Sequence, residues 1–234
     1  MGNRQGSLTN HVGMNFSCMI LETMKVISVN VGLPSPLRAR DRVVESGILK
    51  KPIAGPVRVR TLNLDGDGQA DLRVHGGVDK AVYAYPAEHY DLWQEELRLD
   101  LPWGAFGENL TTRGFSEDTI HIGDRLGIGT AVFAVSQPRL PCFKLEAKFE
   151  RNDMIKRVLD SRRTGFYLRV LQEGRLEAGD AIAVLEQNPA RLSVREITDI
   201  YLTKDAGENR IKRALSVDSL ATSWRNHFLS LLKA

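Results

Sequence analysis

The run KVISVNVG, residues 25–32, sets Val26, Ser28 and Asn30 against Ile27, Val29 and Val31 at a period of two, and it stops at Gly32 and Pro34. That is the period of a strand, whose successive side chains point to opposite faces. Working outward, further strands are expected at residues 56–64, 82–85, 120–129, 131–136, 166–172 and 181–186. Short strands parted by Gly, Pro and Asp turns predict a mixed α+β fold that is mainly β, a curved sheet or barrel rather than βαβ units. Helices interrupt it. PAEHYDLWQEEL has Pro86 at a helix start and Tyr90, Trp93 and Leu97 on one apolar stripe.

Past Asn188 and Pro189 the pattern is helical only. Ser193 and Glu196 have capping-box spacing, and Val194, Ile197 and Tyr201 follow at helical period. A second helix fits residues 208–215, and a third, from about residue 218, puts Leu220, Trp224, Phe228 and Leu231 on one face. The expected organisation is a disordered extension at 1–23, a main domain at 24–187 and a three-helix domain at 188–234, the last too small to be stable alone.

Composition narrows the function classes. With 42% hydrophobic and 26% charged residues, the chain of 234 residues is that of a globular protein. A net charge of +3 from 32 basic and 29 acidic residues is too balanced for a nucleic-acid footprint, though small anionic ligands stay open. Two cysteines, Cys18 and Cys142, exclude a disulfide framework, an all-cysteine zinc site and a four-cysteine iron–sulfur cluster. A reducing, cytoplasmic location is expected, and no apolar run reaches signal-peptide or membrane-spanning length.

Three stretches can carry chemistry. In SQPRLPCFKL, residues 136–145, Pro138 and Pro141 stiffen the backbone, and Cys142 stands at or just before a helix start with Arg139 and Lys144 nearby. Such a setting suits a nucleophile or a soft metal ligand; the plain alternative is a small buried hydrophobe. In RVHGGVDK, Gly76 and Gly77 allow close backbone approach while His75, Arg73 and Lys80 offer donors to an anion, or the run is an ordinary turn. In FGENLTTRG, Glu108 and Asn109 either bind a polar heterocycle or close a turn. DGDGQAD fails the EF-hand spacing and reads as turn geometry, and no Walker loop, HExxH, GxSxG or dinucleotide fingerprint is present.

The order and spacing of VHGGVDKAVYAYPAEHY, FGENLTTRG and SQPRLPCFKL resemble the MOSC domain, named for the C-terminus of molybdenum-cofactor sulfurase. GILKKPIAGPVRV, LDGDGQADLRVHGG and the helical tail resemble its YiiM-like subgroup. The resemblance implies a strongly bent β-barrel and a molybdenum cofactor (molybdopterin), with Cys142 as ligand to molybdenum; pyridoxal phosphate is not among the cofactors it implies. It also implies reduction of N-hydroxylated compounds such as hydroxylaminopurines by oxygen-atom transfer. The alternative is a cofactor or sulfur carrier without turnover of its own. His75, Gly76 and Gly77 match the family's HGG and Asn109 its GEN. Cations at Lys50, Lys51, Arg73, Lys80 and Arg139 are expected around the cofactor. The chain has no redox group of its own to restore the metal, so a separate reductase or small redox protein is the expected partner, with no nucleic acid and no membrane. A homodimer stays open.

Overall fold

The computed structural model describes residues 24–71, 75–203 and 206–233. The expected extension at 1–23 lies outside them, as does Arg73. Among the described residues twelve strands are formed: β1 (Lys25–Val31), β2 (Ser35–Ala39), β3 (Arg42–Ser46), β4 (Lys51–Pro52), β5 (Val57–Val59), β6 (Val82–Pro86), β7 (Leu110–Arg113), β8 (Arg125–Ile128), β9 (Ala131–Pro138), β10 (Phe166–Gln172), β11 (Gly174–Leu176) and β12 (Ile182–Glu186). The helices are α1 (Glu88–Leu97), α2 (Phe143–Phe149), α3 (Met154–Ser161), α4 (Val194–Leu202), α5 (Glu208–Leu215) and α6 (Thr222–Leu231), with one 3-10 turn at Val78–Lys80.

Eight strands form one sheet in the order β12-β8-β9-β10-β6-β7-β1-β4; β2-β3 is a separate hairpin, and β11-β5 a separate antiparallel pair from distant segments. The expected strongly bent β-barrel is not formed. Its edge strands β12 and β4 do not pair with each other. The bridge between Lys25 and Ala181, with its flanking backbone bonds, touches the start of β1 to the turn before β12 but does not extend into a ladder. β4 takes the second edge of β1 only at Asn30 and Val31, and the start of that edge meets the segment before β12 through this single bridge alone. Closure needs a continuous last ladder, and alternation along one strand reports a buried face rather than the partner at its edge.

A second correction concerns connectivity. β6 and β7 are parallel neighbours with α1 between them, which is a βαβ unit. Every residue of β6 is buried: Val82 and Ala84 enter one hydrophobic cluster, and Tyr83 and Tyr85 the other. The sheet thus has a core on each face. On the second face Tyr85 stacks on Phe106 at 4.5 Å and its hydroxyl accepts from Trp93 Nε1 at 2.6 Å, beneath α1.

The helical tail shares the first core. Ile197, Ala214, Trp224 and Phe228 belong to the same cluster as Leu126, Phe133 and Val135 of the sheet. The capping box at Ser193 and Glu196 is made in both directions, with Glu196 N donating to Ser193 Oγ at 3.0 Å and Ser193 N to Glu196 Oε2 at 3.0 Å. Leu220, Trp224 and Phe228 are buried as their spacing predicts, whereas Leu231, at the end of α6, is 36% exposed. Among the described residues, no helix is long and apolar enough to cross a membrane.

Candidate functional site

β9 ends at Pro138, and after it the chain must turn before α2 begins. Arg139 N donates to Gly165 O at 3.2 Å, and Cys142 takes extended backbone, φ −132° and ψ 172°, as the residue capping α2. Leu145, buried in the second core, and Lys148, whose Nζ donates to Ile48 O at 3.0 Å and Gly104 O at 2.7 Å, fix that helix. Cys142 is therefore held at a set position. It is half-buried, forms no disulfide, and its side chain makes no capping bond.

Cys142 lines a pocket together with Lys50, His75, Gly76, Lys80, Asn109 and Arg139, so seven of the expected site residues converge. Lys144 joins them. Two do not: Lys51 is exposed on β4 outside the lining, and Gly77 is exposed at the start of the 3-10 turn with open space around it. Gly76 and Gly77 have φ of 110° and 83°, so this turn does depend on glycine.

The electrostatics refine the expected cation set. Lys50 is buried and paired with Asp67, whose carboxylate also accepts from Gly32 N at 3.0 Å and Asn109 Nδ2 at 3.0 Å. Burial lowers the Lys50 pKa, and Asp67 opposes that shift. Asn109 is equally committed: Tyr83 N donates to its Oδ1 at 3.0 Å, and its Nδ2 also reaches Asn30 O at 3.3 Å. Glu108, fully buried, accepts from Gly104 N at 2.8 Å, Phe106 N at 3.1 Å and Thr111 Oγ1 at 2.8 Å. The GEN run is therefore a loop clamp that positions the pocket wall. Asp67, in the stretch expected only to turn, is the hub of that wall.

His75 is pushed down to about 4 by burial and by the nearby Lys144, Lys80 and Arg139. It is a neutral ring at pH 7, with one N–H to give and one lone pair to accept. Burial also lowers Lys80. Arg139, 6% exposed, lies over the Tyr83 ring at 5.3 Å. Tyr83 and Tyr167 are among the lining residues that sequence reasoning missed, with Ser46, Ile48 and Gln69. Alternation in VYAY puts Tyr83 and Tyr85 on one face, but Tyr167 arrives opposite Tyr83 only through the β10–β6 register. Burial raises both phenols, leaving neutral hydroxyls.

Among the described residues no group of three His, Cys, Asp or Glu side chains could hold a bare metal ion. The pocket instead offers one soft ligand, Cys142, with Arg139, Lys144 and Lys80 also in its lining. That donor set fits a metal that brings its other ligands in an anionic organic carrier.

Fold and pocket define a class: an α+β protein with a thiol on the wall of a cationic pocket and a helical tail packed on its sheet. Residues 71–183 match the MOSC domain, and residues 192–234 match the YiiM-like, 3-alpha helix domain. YflK of Bacillus subtilis is 43% identical over 208 residues, 89% of this chain and 94% of that protein. The crystal structure of YiiM from Geobacillus stearothermophilus superposes with a TM-score of 0.76 at 37% identity, covering 89% of this chain and 99% of that one. A protein of Gibberella moniliformis named reductase is 35% identical over 170 residues, 71% of this chain but only 30% of its own length. The chain belongs to the YiiM-like branch of the MOSC-domain family, with its C-terminal three-helix domain.

Proposed function

We propose that the chain binds a molybdenum cofactor in the Cys142 pocket and reduces N-hydroxylated compounds to amines. The observation that carries this reading is the donor set: a single half-buried thiol in a pocket that Arg139, Lys144 and Lys80 also line, with no group of three His, Cys, Asp or Glu side chains among the described residues that could hold a bare metal ion. The fungal relative named reductase supports the redox assignment, and the MOSC match supports the cofactor. When bound, the cofactor would supply a two-electron oxygen-atom acceptor, so that R–NHOH with two electrons and two protons gives R–NH2 and water.

The chain's own residues hold and orient. Cys142 Sγ would be the protein's ligand to the metal. Arg139, over the Tyr83 ring, with Lys80 and Lys144, whose Nζ donates to Glu45 O at 3.2 Å, would give an anionic carrier positive surroundings. Neutral His75 gives one ring N–H without adding charge. Asp67 and Asn109 hold part of the pocket wall in register, while the Tyr83 and Tyr167 rings line the pocket, with the Tyr83 hydroxyl donating to Thr164 O at 2.8 Å.

Re-reduction needs an outside donor, because the chain contains no cluster, haem or nicotinamide motif. We expect a separate reductase or small redox protein. The test is steady-state turnover of a hydroxylaminopurine by cofactor-loaded protein. A reduced viologen should sustain it and NADH alone should not. No turnover with either donor in protein carrying molybdenum would leave only a carrier, and sustained turnover with NADH alone would remove the partner.

A further inference from the structure

The turn after the paired glycines carries an aspartate that the pocket itself does not use. Asp79 lies in the 3-10 turn Val78–Lys80, next to Lys80, and is not among the lining residues. Its oxygens reach three separate elements. Arg169 of β10 donates to Oδ1 from Nε at 2.9 Å and also from Nη2. Oδ2 accepts from the backbone N of Thr222, the first residue of α6, at 3.2 Å. The Asp79 backbone oxygen accepts from Ser136 Oγ of β9 at 2.6 Å. Ser136 is buried, and its own carbonyl accepts from Ala221 N at 3.1 Å.

The bond to Thr222 fills a gap that the tail's own sequence leaves. The residue capping α6 is Ala221, which makes no side-chain capping bond. Alanine is a poor residue there, because the N–H groups of the first turn need an acceptor that its methyl group cannot supply. Asp79 supplies one from 143 residues away, and its negative charge also suits that end of the helix dipole. The same turn belongs to the pocket wall through His75, Gly76 and Lys80. One side chain therefore joins the start of α6 to that wall.

We propose that Asp79 is a positioning residue that couples the seat of the helical tail to the wall of the Cys142 pocket. With α6 in place, the carboxylate is held between Arg169 and Thr222, and the turn keeps Lys80 at the pocket. Without the Thr222 contact the Asp79 side chain keeps only Arg169, the turn loosens, and the pocket holds an anionic ligand less tightly. The inference rests on the proposed function only in taking that ligand to be anionic.

The experiment takes away one backbone N–H. Proline is favoured at the first helical position, and Ala221, with ψ 142°, already has the extended backbone of a residue before proline, so Thr222→Pro removes the donor and leaves α6 formed. Thr222→Ala keeps the N–H and is the control. Two quantities are read on the full chain free of cofactor: exchange of the Lys80 amide hydrogen, whose N donates to Gly77 O at 3.0 Å, and calorimetric affinity for inorganic pyrophosphate. Thr222→Pro should speed the exchange and weaken pyrophosphate binding, each by roughly fivefold, the worth of one net hydrogen bond. Thr222→Ala should match the wild type. In an Asp79→Ala background Thr222→Pro should change neither quantity, since the bond is already gone; an effect that persists there belongs to α6 itself. Lys80 exchange or pyrophosphate affinity unmoved by Thr222→Pro, no pyrophosphate binding by the wild type, or an equal effect in the Asp79→Ala background would each overturn the proposal. Molybdenum content separates it from the proposed function. The coupling in a chain that takes up no molybdenum keeps the role of Asp79 and loses the cofactor, whereas molybdenum held by a chain without the coupling does the reverse.

Discussion

His75 shows how a pocket changes the residue that sequence places in it. Beside two glycines and two basic residues it reads as an anion donor, yet burial and three neighbouring cations hold its ring at about 4 against an ordinary 6.5. The folded protein therefore resists a proton that the unfolded chain accepts. Above pH 6.5 neither state is protonated and nothing is lost. As pH falls from 6.5 towards 4 the unfolded state gains the proton first, so stability declines across that window. His75→Gln should remove this contribution: in thermal melts from pH 7.5 to 4.5, the wild type should lose Tm relative to the variant as pH drops. Parallel curves would mean that the ring titrates normally. Cys142 and Arg139 were legible because proline and charge lie beside them in sequence. Asp67 was not, because its partners Gly32, Lys50 and Asn109 come from distant segments that only the fold brings together.

The turn that carries the two glycines has a similar lesson. Gly77 combines φ 83° with ψ 173°, a conformation that side chains with a Cβ avoid, and a Cβ placed there would meet nothing within 4 Å. Gly77→Val should therefore act through backbone strain, costing about 1–3 kcal/mol in denaturant unfolding, and not through collision with a ligand. An unchanged midpoint would show that the turn relaxes freely. Strands β1, β6, β9, β10 and β12 lie where alternation puts them, and α4 starts where its capping box does. The β2–β3 hairpin was not legible, since SPLRA and RVVES bury only a few side chains and leave the alternation faint. Nor was the parallel pairing of β6 with β7, because α1 had been read as an interruption rather than a crossover.

The molecule as a whole is stitched across the junction near residue 188. Ile122 N donates to Leu192 O at 2.9 Å, Val194 N to Ile120 O at 3.1 Å, and Ala221 N to Ser136 O at 3.1 Å, while Trp224 and Phe228 share the core of the sheet. We predict that a chain ending at residue 187 aggregates, because it uncovers an apolar face that the tail now hides; size-exclusion chromatography checks this, and a soluble monomer would make the tail an accessory. Pattern in single segments could announce the tail's helices but not this shared core, and it could not tell an open eight-strand sheet from a closed barrel. Metal content tests cofactor binding at Cys142 most directly. Protein purified from a host that makes the molybdenum cofactor should carry near-stoichiometric molybdenum by elemental analysis. Cys142→Ser, equally folded by its melting curve, should carry almost none, because serine keeps the size of the side chain but replaces a soft ligand with a poor one. Full molybdenum in the Cys142→Ser protein, or none in the wild type, would contradict it.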